Sequence, residues 1–195
     1  MTDTLIIYCH PYPQSFNHVI LQAVQNNLKS KNIEFTTIDL YAERFSPVYT
    51  KKDLSLFHTG KTTDPLVVKY LDLLKQAKTV IFITPIWWNS IPGMLKGFID
   101  KVMMEGKGLS HTVSKVGVKG ELTNIQQCYV LTTSSSPTFY IKYLNGNAIK
   151  KIFINQTLKQ LGFQNCQWQN FGMASDSSVK RRKKYLARIQ QEHFV

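Results

Sequence analysis

Five short apolar runs punctuate the chain, at 4–9, 33–39, 79–84, 127–133 and 163–171, and the segments between them place apolar residues at helical spacing. Runs 79–84 and 127–133 consist almost wholly of apolar or β-branched residues, the pattern of strands buried on both faces. After the first run, Val19, Ile20, Ala23, Val24 and Leu28 mark one face of a helix over 17–30. Asp64 and Pro65 open a second helix that runs to Gln76 and turns Leu66, Tyr70, Leu73 and Leu74 inward. Further helices are expected over 92–103, over 147–161 (closed by Gly162) and over 176–193. Strands alternating with helices predict an α/β fold, a doubly wound sheet with helices on both faces. With no internal repeat or low-complexity linker in sight, residues 1–195 are expected to form one domain.

Two stretches interrupt this alternation. Residues 40–64 are irregular apart from a short helical piece near 51–57, and a connection of that length is expected to carry function. It offers Tyr49, Phe57 and His58 to a ligand site. Residues 105–124 hold four glycines and read as a loop or hairpin.

The candidate chemistry lies where strands end. HPYPQSFN, from His10 to Asn17, joins the first strand to a helix N-terminus, where unpaired amides and the helix dipole favour an anion. His10, Ser15 and Asn17 add side-chain donors, and the bland alternative is a simple helix cap. Without glycine, this loop is neither a dinucleotide fingerprint nor a Walker loop. Pro85 stops the third strand, leaving Ile86, Trp87, Trp88 and Asn89 as a loop at its carboxyl end, where open α/β sheets bind ligands. The alternative for the tryptophan pair is a set of core aromatics closing the sheet. The fourth strand ends in Thr132, Thr133, Ser134, Ser135 and Ser136, after which Pro137 turns the chain towards Phe139, Tyr140 and Tyr143.

Taken together, HPYPQSFN, PIWWNSIPGMLKGFIDKV and TTSSSPTFY resemble, in order and spacing, motifs of the flavodoxin-like NAD(P)H:quinone oxidoreductase family. They look like its phosphate loop, its P-x-x-W-aromatic loop with the following LKG-x-x-D helix, and its T-T-G-G loop. The resemblance runs from Thr4 to Phe171. It implies a five-stranded parallel sheet with helices on both faces and a non-covalent flavin, FMN or FAD. His10, Ser15, Phe16 and Asn17 would contact its phosphate and ribityl chain. Pro85, Ile86, Trp87, Trp88 and Asn89 would run along the ring, with backbone amides facing it, and Thr132, Thr133, Ser134 and Ser135 would approach the other edge. Tyr140 matches the family's tyrosine beside ring or substrate and is the one catalytic candidate. The implied reaction takes hydride from NAD(P)H and passes it to a quinone, azo or nitroaromatic acceptor by a ping-pong route, in a homodimer. A second reading, also found among relatives, is a flavin-binding accessory subunit of a membrane transport system. Two departures stand out: Ser134-Ser135 replaces the usual Gly-Gly, so hydroxyls must be accommodated. The histidine that relatives carry a few residues beyond this tyrosine has no counterpart in Lys142 to Gly146, and any Tyr/His relay would need His58 or His111 as a substitute.

The formal net charge of +12 admits nucleic-acid binding, yet only Lys180 to Lys184 form a basic cluster. A solvated helix face is the expected reading, with no specific nucleic-acid partner. No apolar run reaches about 18 residues and the start lacks a leader pattern, so a cytoplasmic protein without membrane insertion is expected. Cys9, Cys128 and Cys166 lack metal-ligand spacing and are read as buried thiols. His111 is read as a surface histidine and Asp100 as a cap or salt-bridge partner.

Overall fold

The structure is a computed structural model that describes residues 3–194. Five parallel strands form its central sheet: β1 (Thr4–Tyr8), β2 (Phe35–Asp39), β3 (Thr79–Pro85), β6 (Gln127–Thr133) and β7 (Cys166–Phe171). Their spatial order is β2-β1-β3-β6-β7, the 2-1-3-4-5 order of flavodoxin-like sheets. The apolar runs are continuous because alternate residues enter two different cores. Leu5, Ile7, Val80, Phe82, Cys128 and Val130 point to one face. Ile6, Tyr8, Ile81, Ile83, Tyr129 and Leu131 point to the other. Each fully buried Ile or Phe among them removes side-chain area worth about 1.5–3 kcal/mol.

On the second face lie α1 (Phe16–Ser30) and α5 (Val179–Gln191), which meet through Ile20, Leu21, Val24, Tyr185 and Ile189. The inner stripe of α1 is turned slightly from the expected one: Val19 is 38% exposed, whereas Asn17 and Asn27 are buried. Asn27 is tolerated there because its Nδ2 donates to Ile189 O at 2.8 Å and Glu192 O at 2.9 Å, satisfying carbonyls at the end of α5.

The first face is covered by α3 (Pro65–Gln76) and α4 (Gly93–Val102). It also carries a wide-turned helix at Ile149–Leu158, where an α-helix is expected from the sequence. Its π-type turns show in the Lys159 N–H donating to Ile154 O, five residues back. Its inward residues, Ile149, Phe153, Ile154 and Leu158, follow that longer period. A shorter π-helical turn spans Tyr140–Leu144.

The 40–64 excursion contains α2 (Lys51–Leu56), held by a reciprocal Thr50–Asp53 capping box, and is pinned to α4. Lys101, 6% exposed, donates to Ser46 O and to Asp64 Oδ2, each at 3.0 Å, with Asp53 Oδ2 at 3.9 Å. Gly97 permits the close approach, since a Cβ there would fall 2.2 Å from Pro47 O. Within 105–124, β4 (His111–Ser114) and β5 (Gly117–Gly120) form an antiparallel hairpin. Two strands start later than the sequence suggests. β2 begins at Phe35, and β7 at Cys166, because Gln164 N–H turns to Ile125 O and Asn165 adopts φ 42°.

Candidate functional site

The loops after β1, β3 and β6 converge at the carboxyl ends of three neighbouring strands. Between them lies a trough made of two adjoining hollows of about 490 and 390 Å³, which share Ile86, Trp87, Ser134 and Ser135. His10, Ser15, Phe16, Asn17, Pro85 and Thr133 line the larger hollow, and Trp88 and Asn89 the smaller. Two expected residues fall outside this lining. Thr132 is buried with its hydroxyl spent within the sheet, donating to Asn170 Oδ1 at 2.8 Å and accepting from Trp168 Nε1 at 2.9 Å. Strand alternation explains it, since Thr133, the next residue, takes the trough side. Tyr140 is 42% exposed next to Ile141, which lines the smaller hollow.

The larger hollow has an anion end. Ser15 caps α1 by accepting the His18 N–H at 3.1 Å, and the Phe16 and Asn17 amides begin the helix without intrahelical acceptors. Tyr12 N–H donates to His10 Nδ1 at 3.1 Å, which places the imidazole proton on Nε2 and leaves that nitrogen a donor. Burial holds His10 below its ordinary pKa, so the ring is neutral at pH 7. Asn17 Nδ2 donates to Thr133 Oγ1 at 2.8 Å, while its buried Oδ1 has no partner among the described residues.

Arg182 adds a cation that the sequence reading missed. It lines the larger hollow, donates from Nε to Ser177 Oγ at 2.7 Å and from Nη2 to Ala174 O at 3.0 Å, and lies over the Phe16 ring. It sits within the basic cluster read as a solvated face. The signal that separates it from its neighbours is spacing, because Arg182, Tyr185 and Ile189 recur at i, i+3 and i+7 on the packed stripe of α5.

The tryptophan loop is a two-residue hairpin. Trp87 N–H donates to Ser90 O at 3.0 Å and Ser90 N–H to Trp87 O at 3.1 Å, and Trp88 and Asn89 between them have φ 48° and 65°. That is a type I′ turn built without glycine. Neither indole is a core aromatic: Trp87 is 43% exposed beside His10 and Trp88 is 97% exposed. The amides expected to face a ring are partly spent, for Ile86 N–H donates to Thr133 O at 2.7 Å and Trp87 N–H closes the hairpin. Trp88 and Asn89 amides donate to no described residue.

Of the two serines that replace glycines, Ser134 spends its polar groups within the chain, while Ser135 stays on the lining of both hollows. Ser134 Oγ donates to Ser136 O at 2.8 Å and accepts from Asn170 Nδ2 at 3.0 Å, and its N–H donates to Phe171 O at 3.1 Å. Gly172, another residue the sequence reading passed over, lets the neighbouring chain pass: a Cβ there would lie 2.6 Å from Thr138 N and 2.8 Å from Ser136 O.

Tyr49 and Phe57 line a different, much smaller cleft with Asp100, Met103 and Met104, so the 40–64 excursion does not bring them to the trough. His58 is exposed beside Glu105, and His111 lies against Ser110 Oγ at 2.9 Å; neither lines the trough. Asp100 pairs with Lys96 one helical turn away. Cys9 faces the core, where burial pushes its thiol up to about 12. No group of three or more metal-ligating side chains is assembled among the described residues.

A family model described as flavodoxin-like fold matches residues 2–193. An uncharacterised NAD(P)H oxidoreductase of Haemophilus influenzae is 24% identical over 96% of this chain and 92% of its own length. Rat NAD(P)H dehydrogenase [quinone] 1 is 28% identical over 70% of this chain, which spans 55% of that relative's length. Among solved structures, Smu.1420 of Streptococcus mutans superposes with a TM-score of 0.81 at 35% identity, covering 96% of both chains. An FMN-dependent NADH-azoreductase of Bacillus anthracis, solved in complex with FMN, shares the fold with a TM-score of 0.76 at 18% identity, covering 98% of this chain and 97% of that one.

Proposed function

The chain belongs to the flavodoxin-like fold family, and from that premise we propose that it is a flavin-dependent NAD(P)H oxidoreductase. The observation that carries the reading is the shape and polarity of one trough: an anion end at the α1 N-terminus beside Arg182, continuous with a wall of Pro85, Ile86 and Trp87. The unpaired Asn17 Oδ1 supplies a buried acceptor suited to a ribityl hydroxyl. FMN or FAD fits this set of donors and flat surfaces, and the relatives named as NAD(P)H oxidoreductases support the same chemistry.

A bound flavin supplies two-electron hydride chemistry, which this chain's own side chains do not. The chain's work is placement. His10 Nε2–H, the first amides of α1 and Arg182 hold a phosphate; Phe16 and Trp87 shape the apolar wall; Ser135 lines both hollows. The Trp88 and Asn89 amides remain free to donate where negative charge grows on reduction. Tyr140, beside the smaller hollow, offers a phenol to an acceptor. NAD(P)H and a quinone, azo or nitroaromatic acceptor would use the open smaller hollow in turn, a ping-pong sequence. A second copy of the chain would cover the exposed Trp88, Phe139, Tyr143 and Leu144 and complete the acceptor wall. Among the described residues no helix is long and apolar enough to cross a membrane.

The deciding experiment is a visible spectrum of the purified protein, alone and after incubation with FMN and with FAD, followed by anaerobic NADH or NADPH. A flavin band that bleaches on addition of the nucleotide supports the reading. Protein that takes up neither flavin overturns it.

A further inference from the structure

Two of the three cysteines meet at the end of the sheet opposite the trough. Cys128 on β6 and Cys166 on β7 are register partners, at the amino ends of adjacent parallel strands. Neighbouring strands lie about 4.8 Å apart, inside the Cα separation of about 4.4–6.8 Å that a disulfide spans. Both side chains emerge on the same face: Cys128 belongs to the first core, and Cys166 packs against it together with Trp168. Indole Nε1 of Trp168 reaches Thr132 Oγ1 from the same side, which fixes this strand phase.

Their environments differ in the way a reacting pair requires. Cys128 is wholly buried, whereas Cys166 is half-buried at the start of an edge strand. Interaction with the neighbouring Cys128 thiol, and then Lys159 and Lys150, lowers the Cys166 pKa, and burial pushes Cys128 well up; Cys166 Sγ also donates a long bond to Phe163 O at 3.9 Å. A half-buried thiol and a wholly buried one are thus side by side.

We propose that Cys166 and Cys128 are a peroxide-sensitive pair that closes to a disulfide across β6 and β7. The Cys166 thiolate attacks one oxygen of hydrogen peroxide; an S–O bond forms, the O–O bond breaks, and hydroxide leaves, giving a sulfenic acid. The Cys128 sulfur then attacks the Cys166 sulfur, forming S–S and breaking S–O, and the departing hydroxyl takes the Cys128 proton as water. Two thiols are oxidised and one peroxide is reduced to two waters. Cys9, just past the end of β1 and buried in the core, takes no part. The pair does not depend on flavin binding, because the trough lies at the opposite strand ends.

The full chain, treated with a small excess of hydrogen peroxide, is denatured, alkylated and weighed by mass spectrometry. The expected product is monomeric, loses two of its three alkylatable thiols, regains them after dithiothreitol, and gives a non-reduced digest in which the Cys128 and Cys166 peptides are joined. In Cys128→Ser, dimedone labels Cys166; in Cys166→Ser, no label appears on Cys128. Three thiols still alkylated, a link through Cys9, chains joined to each other through Cys166, or wild-type Cys166 over-oxidised beside a free Cys128 would each overturn the assignment. The wild-type digest decides the matter even if a serine variant does not fold.

Discussion

Asn17 and Thr133, 116 residues apart, are joined by a 2.8 Å hydrogen bond that ties the start of α1 to the end of β6 and leaves Asn17 Oδ1 buried and unpaired among the described residues. A net bond of this kind is worth about 0.5–1.5 kcal/mol, and an unmade buried one costs about 1–3 kcal/mol. Among the described residues none satisfies Oδ1, so a ligand hydroxyl that reached it would recover that second quantity. Asn17→Ala is expected to weaken flavin binding about tenfold, equivalent to about 1.4 kcal/mol, while lowering apoprotein stability by no more than about 1.5 kcal/mol. Fluorescence titration with FMN and a urea melt check the two parts separately. An unchanged dissociation constant would remove Asn17 from the site.

Arg182 reports on the phosphate rather than the ring. Hydrogen bonds to charged groups contribute about 1.5–3 kcal/mol, so Arg182→Gln is expected to weaken FMN binding about 10–100-fold. Riboflavin, which lacks the phosphate, should bind wild type and variant alike. Because Arg182 also holds Ala174 O and Ser177 Oγ, a loss shared equally by both ligands would point to a displaced loop instead.

The sheet and the loops that end it were legible because continuous apolar runs and Pro or Ser punctuation are properties of local sequence. Run 127–133 coincides with β6, and twelve of the fourteen expected site residues line the trough. What escaped was settled by distant partners. Asn27 is buried because it meets the end of α5, and Arg182 turns inward because Tyr185 and Ile189 set the helix phase. The bend at Gly172 answers to Ser136 and Thr138. Neither Thr132 nor its neighbour Thr133 announces which face it takes until Trp168 and Asn170 claim one of them.

Gly172 and Gly97 are close-approach glycines with separate consequences. Adding a Cβ at Gly172 drives it to 2.6 Å from Thr138 N, and at Gly97 to 2.2 Å from Pro47 O. Overpacking of this sort costs about 1–3 kcal/mol. Gly172→Ala is expected to lower flavin affinity as well as stability, since the 134–136 loop must shift. Gly97→Ala is expected to lower stability while leaving affinity within about twofold, because its neighbour belongs to the distant 40–64 excursion. Thermal melts with and without FMN distinguish them.

The pH dependence of apoprotein stability follows from His10. Burial depresses its folded-state pKa below the ordinary 6.5, so on acidification the unfolded chain takes up a proton first. Stability therefore falls as pH drops through 6.5 and levels off only below the folded-state value. His111 shifts in the same direction, also by burial. Urea midpoints at about pH 7.5 and about 5.5 should differ less in His10→Asn than in wild type, with the remaining slope carried in part by His111. An undiminished slope in the variant would contradict the assigned ring environment.

Trp88 opposes stability to use. Its backbone sits at φ 48° and its side chain is 97% exposed, so within one copy of the chain the residue carries a strained conformation and buries almost nothing. Left-handed backbone at a bulky residue costs about 1–3 kcal/mol, and asparagine tolerates it with little penalty. Trp88→Asn is accordingly expected to leave the melting temperature unchanged or raise it, gaining up to about 1 kcal/mol. If the indole is kept to meet a second copy or an electron acceptor, the same variant should dissociate more readily on gel filtration or show a higher KM for quinone, with FMN affinity preserved. A variant both more stable and unaltered in assembly and kinetics would leave the type I′ turn with no benefit to offset its strain, and would remove Trp88 from the acceptor wall.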